Sequence, residues 1–305
     1  MTVRVQVPAS SANLGPAFDC AAIALNLHLR VSATPQTSGG LELSYLGPNT
    51  ERVPLDDTNL VARAIRNIAS STDGVLPGAR IEIDNQIPIG SGLGSSAAAI
   101  IAGTILGAEL CGATLEPKKI LRHALALEKH PDNISAALYG GMVVAAVTHN
   151  ATDNLADILV STTDVSEKID FIAVAPDVPL STEKSRAALP TQYSREDIVQ
   201  NIQRTALLTA AFFSGGDLTP ELFRDRLHQP YRSPLIPGIA ECLEYRCEGL
   251  AGIFLSGAGS SVMAIALHSS AQIGDALVDI FRRHGISARA SNLKADNAGA
   301  QVRRA

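Results

Sequence analysis

The stretch Pro88-Ile89-Gly90-Ser91-Gly92-Leu93-Gly94-Ser95-Ser96 constrains this chain more than any other. Ile81 and Ile83 lead into it with the period of two expected of a strand, and an Ala-rich run leaves it as a helix to about Leu110. A strand, a glycine turn and a helix N-terminus in that order gather backbone amides and the positive end of the helix dipole in one place. Gly90, Gly92 and Gly94 remove the side chains that would hold an anion off the backbone, and Ser95 and Ser96 add hydroxyls, one of which could meet a metal ion. Two readings stand side by side here: a phosphate cradle, or a tight turn whose glycines merely let the helix pack closely. The paired serines and the narrow helix favour phosphate. No Gly-Lys-Ser/Thr follows, so this is not a Walker loop. Ser95 stands where a dinucleotide fingerprint needs its third glycine.

The chain around this loop has 305 residues, enough for two domains. It is 46% hydrophobic but lacks Trp and has few aromatics, so its core must be built from Ala, Val, Ile and Leu. A net charge of −5 argues against nucleic acid as a partner held by a basic surface. The richest apolar run, Ala97 to Gly112, is broken by Gly103, Gly107 and Glu109, so no membrane span is expected. The N-terminus lacks the pattern of a signal peptide. Cys20, Cys111, Cys242 and Cys247 form no CxxC pair and read as reduced thiols. A cytoplasmic protein is the expectation.

Val3, Val5 and Val7 predict a first strand, and Ile23 to Ala33 a longer one. Leu41, Leu43 and Tyr45 suggest a hairpin partner for the latter after Gly39-Gly40. Asp57 to Ser70 reads as a helix capped by Asp57 or Thr58. Helices are also expected over Pro117 to Leu127 and Asn133 to Tyr139, with a strand over Met142 to Val147. The polar stretch His149 to Lys168 has weak periodicity and is placed as the connection between domains at 1–155 and 165–305. Beyond it the order is strand, helices, two strands, helix and a last strand over Ile286 to Ala290, a split βαβ, ferredoxin-like pattern. The fold class is therefore α+β.

Other segments offer chemistry less clearly. Asn13, Gly15 and Asp19 share a loop between strands, where turn formation alone would explain them. Glu128-Lys129-His130-Pro131-Asp132-Asn133 is denser. Helix capping accounts for Pro131, Asp132 and Asn133, but not for Glu128 or His130. Glu128 with Ser96 would suffice for Mg2+, which takes one or two protein oxygens. Arg186 and Arg232 are each unremarked surface residues on their own; as a pair they suit a carboxylate. The small-residue loop Ser256 to Ser261 precedes a strand and could be a simple hairpin turn.

Together these segments resemble the three signature motifs of the GHMP kinases. The first is similar to Pro8 to Pro16 with Phe18-Asp19, the second to Pro88 to Ala98, the third to Leu255 to Gly259. Ser181-Thr182 with Arg186, His130 to Asn133, and Gln229-Pro230-Tyr231-Arg232 resemble most the branch that phosphorylates homoserine. The resemblance implies a two-domain fold, ribosomal-protein-S5-domain-2-like and then ferredoxin-like, with ATP and Mg2+ in the cleft between. It implies that Pro88, Ile89, Gly90, Ser91, Gly92, Leu93, Gly94, Ser95, Ser96, Ala97 and Ala98 hold the nucleotide phosphates, with Asn59 near the adenine. Glu128 and Ser96 would hold Mg2+. Asn13, Asp19, His130, Asp132 and Asn133 would surround L-homoserine, its carboxylate held by Arg186 and Arg232, and a homodimer is implied. Ala17, Lys129 and Ser260 depart from the family pattern without removing a group the chemistry requires. Mevalonate, a sugar or another hydroxy amino acid remain alternative substrates, and a non-catalytic nucleotide-binding regulator remains a rival.

Overall fold

A computed structural model describes residues 1–37, 39–72, 75–149 and 156–304. Strands β1 (Val3–Ala12) and β2 (Ala21–Gln36) pair antiparallel, with Val5 opposite Val31, and bury Val3, Val5 and Val7 on one face. Strand β3 (Leu41–Leu46) follows, then helix α1 (Leu60–Ala69) and strand β4 (Gly78–Asn85). The expected hairpin between β2 and β3 does not form. β4 takes that edge of β2, and β3 lies parallel to β4 instead, Leu43 opposite Ile81. The intervening α1 supplies the crossover that a parallel pair requires.

The cap of helix α1 lies two residues beyond Asp57 and one beyond Thr58, the two expected caps. Asp56 and Thr58 bond to each other in a turn, and Asn59 is the N-cap, its side chain accepting from the Val61 amide at 2.9 Å. Helix α2 (Ser95–Leu110) leaves the glycine loop and is buried on nearly every side, which explains its Ala-rich sequence, with Glu109 near its C-terminal end as the one charged residue. Gly103 and Gly107 face α1 so closely that a Cβ at either would collide with backbone atoms of Val61 or Ile65. Helices α3 (Pro117–Leu125) and α4 (Pro131–Tyr139) lead to the antiparallel strands β5 (Met142–His149) and β6 (Ala156–Thr163), β5 also pairing with β2.

Strand β6 lies within the stretch expected to connect two domains. Residues 150–155, where the first expected domain ends, and Ala305 lie outside the described residues. The second sheet comprises β7 (Asp170–Pro176), β8 (Leu250–Leu255), β9 (Val262–Ala266) and β10 (Ala288–Leu293), ordered β10-β7-β9-β8 and antiparallel throughout. That is the expected ferredoxin-like order. Helices α5 (Thr182–Ala187), α6 (Arg195–Ser214), α7 (Gln229–Arg232) and α8 (Ile239–Glu244) separate β7 from β8, and α9 (Ser270–Arg283) joins β9 to β10.

β10 is not the last strand. The chain returns to the first sheet, where β11 (Gln301–Arg304) pairs with β1, Val302 opposite Val5. The returning segment bonds β2 and α4 on the way, through Asp296 to Ala24 and Ala300 to Leu138. Large apolar residues form two main cores: one takes in α2, the first sheet and Phe171, Phe254, Met263 and Ile265 from the second, and the other holds Ile172, Val262, Leu277 and Phe281. Among the described residues no helix is long and apolar enough to cross a membrane.

Candidate active site

The glycine loop lies where the two sheets meet. All three glycines take positive φ, 72° at Gly90, 82° at Gly92 and 70° at Gly94, which L side chains resist. Their surroundings differ. A Cβ at Gly92 would strike the Ser256 carbonyl, and one at Gly94 the Ser10 side chain, whereas one at Gly90 would meet nothing within 4 Å. Gly92 and Gly94 therefore serve close backbone approach, and Gly90 faces open space. Gly94 is the N-cap of α2 and offers no side-chain cap, so the first-turn amides keep their capacity for an anion.

Long-range hydrogen bonds tie the loop to two other segments. The Ser10 amide donates to the Leu93 carbonyl at 3.1 Å, and the Ser261 amide to Ser91 O at 3.1 Å. The Ser256 hydroxyl donates to the Gly92 carbonyl at 2.7 Å, and Asn13 Nδ2 donates to Gly257 O at 2.9 Å. The Ser256–Ser261 loop is thus more than a hairpin turn: it braces the glycine loop from the second sheet.

A cleft of about 370 Å³ opens against these loops. Of the residues singled out from the sequence, Pro88 to Ser96, Asn13, Asp19, Asn59, Glu128, His130, Asp132, Asn133, Arg186 and Arg232 all line it. Ala97 and Ala98 do not; they are buried inside α2. The polar atoms of Asn59 are already engaged, Oδ1 at the cap and Nδ2 with the Pro54 carbonyl at 2.8 Å. Ala17 is buried in its loop and Lys129 is exposed.

In the same cleft, Arg186 pairs bidentately with Asp19, at 2.7 and 3.1 Å. Its Nε is buried without a partner. Arg232 is fully buried, yet among the described residues donates only to the carbonyls of Ser185 at 3.3 Å and Gly257 at 3.1 Å and to His228 Nδ1 at 3.3 Å. Burial, with the neighbouring Arg186 charge, pushes its pKa down to about 10. A second anion would relieve both effects. The Phe18 ring lies under both guanidinium groups, 5.6 Å from Arg186 and 5.1 Å from Arg232.

The segment before α4 holds the titratable groups. Glu128 Oε1 bonds His130 Nδ1 at 2.8 Å. That bond raises the His130 pKa against the opposing effect of burial. Burial works to raise the Glu128 pKa, but the His130 contacts and the Arg186 charge outweigh it and hold it below the usual range. Asp132 is buried, and desolvation carries its pKa to about 7 although the Asn133 amide donates to it at 2.6 Å. Asn133 Oδ1 accepts from the Ser10 hydroxyl at 2.8 Å, joining this segment to β1. Among the described residues no three His, Cys, Asp or Glu side chains gather as a metal cluster. Glu128 and Ser96 both line the cleft.

Sequence reasoning did not weigh Phe18 beyond its place in the first motif, and it missed His228, which stacks on Phe18 with ring centroids 5.1 Å apart. The only signal was position, one residue before Gln229-Pro230-Tyr231-Arg232.

The GHMP kinases N terminal domain family matches residues 59–141. Homoserine kinase of Desulfitobacterium hafniense is 38% identical over 98% of this chain and 99% of its own. That of Deinococcus radiodurans is 39% identical over 99% and 97%. The solved homoserine kinase of Cytophaga hutchinsonii superposes with a TM-score of 0.84 at 26% identity, covering 99% of this chain and 97% of its own. Galactokinase of Lactococcus lactis shares the fold alone, at 13% identity and a TM-score of 0.69 over 98% and 95%. Alike from end to end in sequence and in backbone, this chain belongs to the GHMP kinases, in the family of the homoserine kinases.

Proposed function

We propose that this enzyme transfers the γ-phosphoryl group of ATP to the side-chain hydroxyl of L-homoserine, giving O-phospho-L-homoserine for threonine biosynthesis in the cytoplasm. The observation that carries the substrate is a single cleft lined both by the glycine loop and by Arg186 and Arg232, whose guanidinium groups share the Phe18 ring. Two guanidinium groups beside one partly exposed carboxylate, Asp19, leave a positive excess that an amino acid's carboxylate neutralises. Asp19 and Asn13 are the acceptors available to its ammonium group. Residues 1–155 supply the nucleotide side of the cleft in this proposal, and residues 165–305 supply the carboxylate clamp.

The loop amides and the N-terminus of α2 hold the phosphates, and Gly90 leaves room for them. Asn59 borders the adenine end. Glu128 and Ser96 are the protein ligands of Mg2+, which, when bound, offsets charge on the phosphates. His130 fixes the Glu128 carboxylate. Asn133, held by Ser10, and Asp132 border the acceptor hydroxyl. Phosphoryl transfer passes through a loose transition state, so positioning matters more than a strong base. Asp132, ionising near neutrality, is the residue able to receive the hydroxyl proton. A homodimer, as the family implies, is part of the proposal.

ADP release, measured with ATP and Mg2+ over homoserine, mevalonate, galactose and serine, tests this. Turnover is expected with homoserine. Turnover confined to mevalonate or a sugar would overturn the substrate, and none with any acceptor would favour a non-catalytic nucleotide-binding regulator.

A further inference from the structure

His228 has no role in what precedes, yet it is wholly buried, between Gly15 of the first half of the chain and Arg232 of the second. Its Nε2 lies 2.8 Å from the Gly15 carbonyl oxygen, and its Nδ1 lies 3.3 Å from Arg232 Nη1. A carbonyl only accepts and a guanidinium only donates. Nε2 must therefore carry a proton and Nδ1 a lone pair. The opposite tautomer would set lone pair against lone pair at Gly15 and N–H against N–H at Arg232. The imidazolium would keep the second clash. We propose that His228, fixed as the neutral Nε2–H tautomer, is the positioning residue that aims Arg232 and the Asn13–Asp19 loop at the substrate. This rests on the assignment of Arg232 to the substrate carboxylate.

The surroundings support it. The Gly15 backbone passes so close to Phe223 that a Cβ there would collide with its carbonyl. The next carbonyl, Pro16, accepts from Asn201 Nδ2 at 3.0 Å and Thr205 Oγ1 at 2.9 Å. Two successive carbonyls of a first-half loop are thus held by three donors from the second half. Past that anchor come Phe18, stacked on the imidazole, and Asp19, the partner of Arg186. The His228 backbone is itself fixed, because buried Asp225 accepts from the amides of Leu227, His228 and Gln229 and from Asn201 Nδ2. Burial also pushes the His228 pKa down, which favours the neutral ring. Two guanidinium groups that repel each other are in this way kept convergent, one by Asp19 and one by the imidazole.

The test has two arms. In the first, long-range 1H–15N correlation spectra are recorded on the labelled full-length protein at pH 7.5, the His228 ring being assigned with His228→Gln. The Nε2–H pattern is expected; an Nδ1–H or doubly protonated pattern overturns the proposal whatever the substrate is. In the second, His228→Ala should raise the homoserine KM by about tenfold or more, as expected for losing a hydrogen bond to a charged group, and leave the ATP KM within about twofold. His228→Asn, whose side-chain oxygen reaches the Nδ1 position, should recover part of the loss. Equal rises in both KM values, or no recovery, overturn the positioning role. Wild-type turnover with homoserine is the control: its failure removes the substrate assignment and leaves the tautomer to the spectra.

Discussion

Replacing Asp132 by Asn should make this protein more stable in alkaline solution, and the size of the effect follows from burial. The Asp132 carboxyl is 2% exposed, and its pKa is carried from 3.8 to about 7, chiefly by desolvation. A group that binds its proton more tightly when folded costs nothing below pH 3.8. Its cost grows as pH rises from there to about 7 and is constant above. The full displacement corresponds to about 4 kcal/mol, of which about 1.5–2 kcal/mol has developed by pH 5. Asn is nearly isosteric, keeps an oxygen for the Asn133 amide and carries no charge. Urea denaturation of the ligand-free protein at pH 5 and pH 8 would therefore show Asp132→Asn gaining about 2–3 kcal/mol more at the higher pH. A pH-independent difference between the two proteins would refute the reasoning, because it would mean that the native carboxyl is not desolvated. The same variant addresses chemistry: retained turnover at pH 8 would exclude Asp132 as an essential proton acceptor.

Gly90→Ala and Gly92→Ala should separate binding from folding. The first is expected to raise the ATP KM severalfold with a backbone cost of about 1–2 kcal/mol, and the second to lower thermal stability further, since its Cβ meets the Ser256 carbonyl; equal melting temperatures would contradict this. Glu128→Gln should raise the Mg2+ concentration for half-maximal rate and lower the His130 pKa towards its ordinary value, because the bond from Glu128 is what raises it; NMR titration of the imidazole reads the second effect. Arg232→Ala should raise the homoserine KM by about 10-fold to 100-fold with the ATP KM nearly unchanged, and steady-state kinetics with each substrate varied would show otherwise if the carboxylate lies elsewhere.

The parts of the fold that were legible are those whose cause is local. The glycine loop, its strand and its helix run without interruption from Gly78 to Leu110, one supersecondary unit, and each signal agrees with the next. The ferredoxin-like order could be read because each element carries its own period. Pairing was less legible. Leu41, Leu43 and Tyr45 declare a strand, but nothing in them says that β4 takes the edge of β2 first. β11 is four exposed residues with no apolar alternation, so it has no signature outside the sheet that accepts it. Asp57, Thr58 and Asn59 all can cap a helix, and only Asn59 has its side chain turned to the Val61 amide. The site divides likewise. Its donors and acceptors were visible as residue types, but the Asp19–Arg186 pair joins positions 167 residues apart. His228 resembles any core histidine until Gly15 and Arg232 are seen on either side of its ring.

The return of the chain's end to β1 has a consequence during synthesis. β1 is translated before β11, and its outer hydrogen-bonding edge stays open until Gln301–Arg304 arrive to cover it. A nascent chain halted after β10 would leave that edge of β1 exposed on the side away from β2, the kind of edge that recruits a neighbouring chain. The first sheet is therefore completed only after every strand of the second has been translated, although β1 to β6 precede them all.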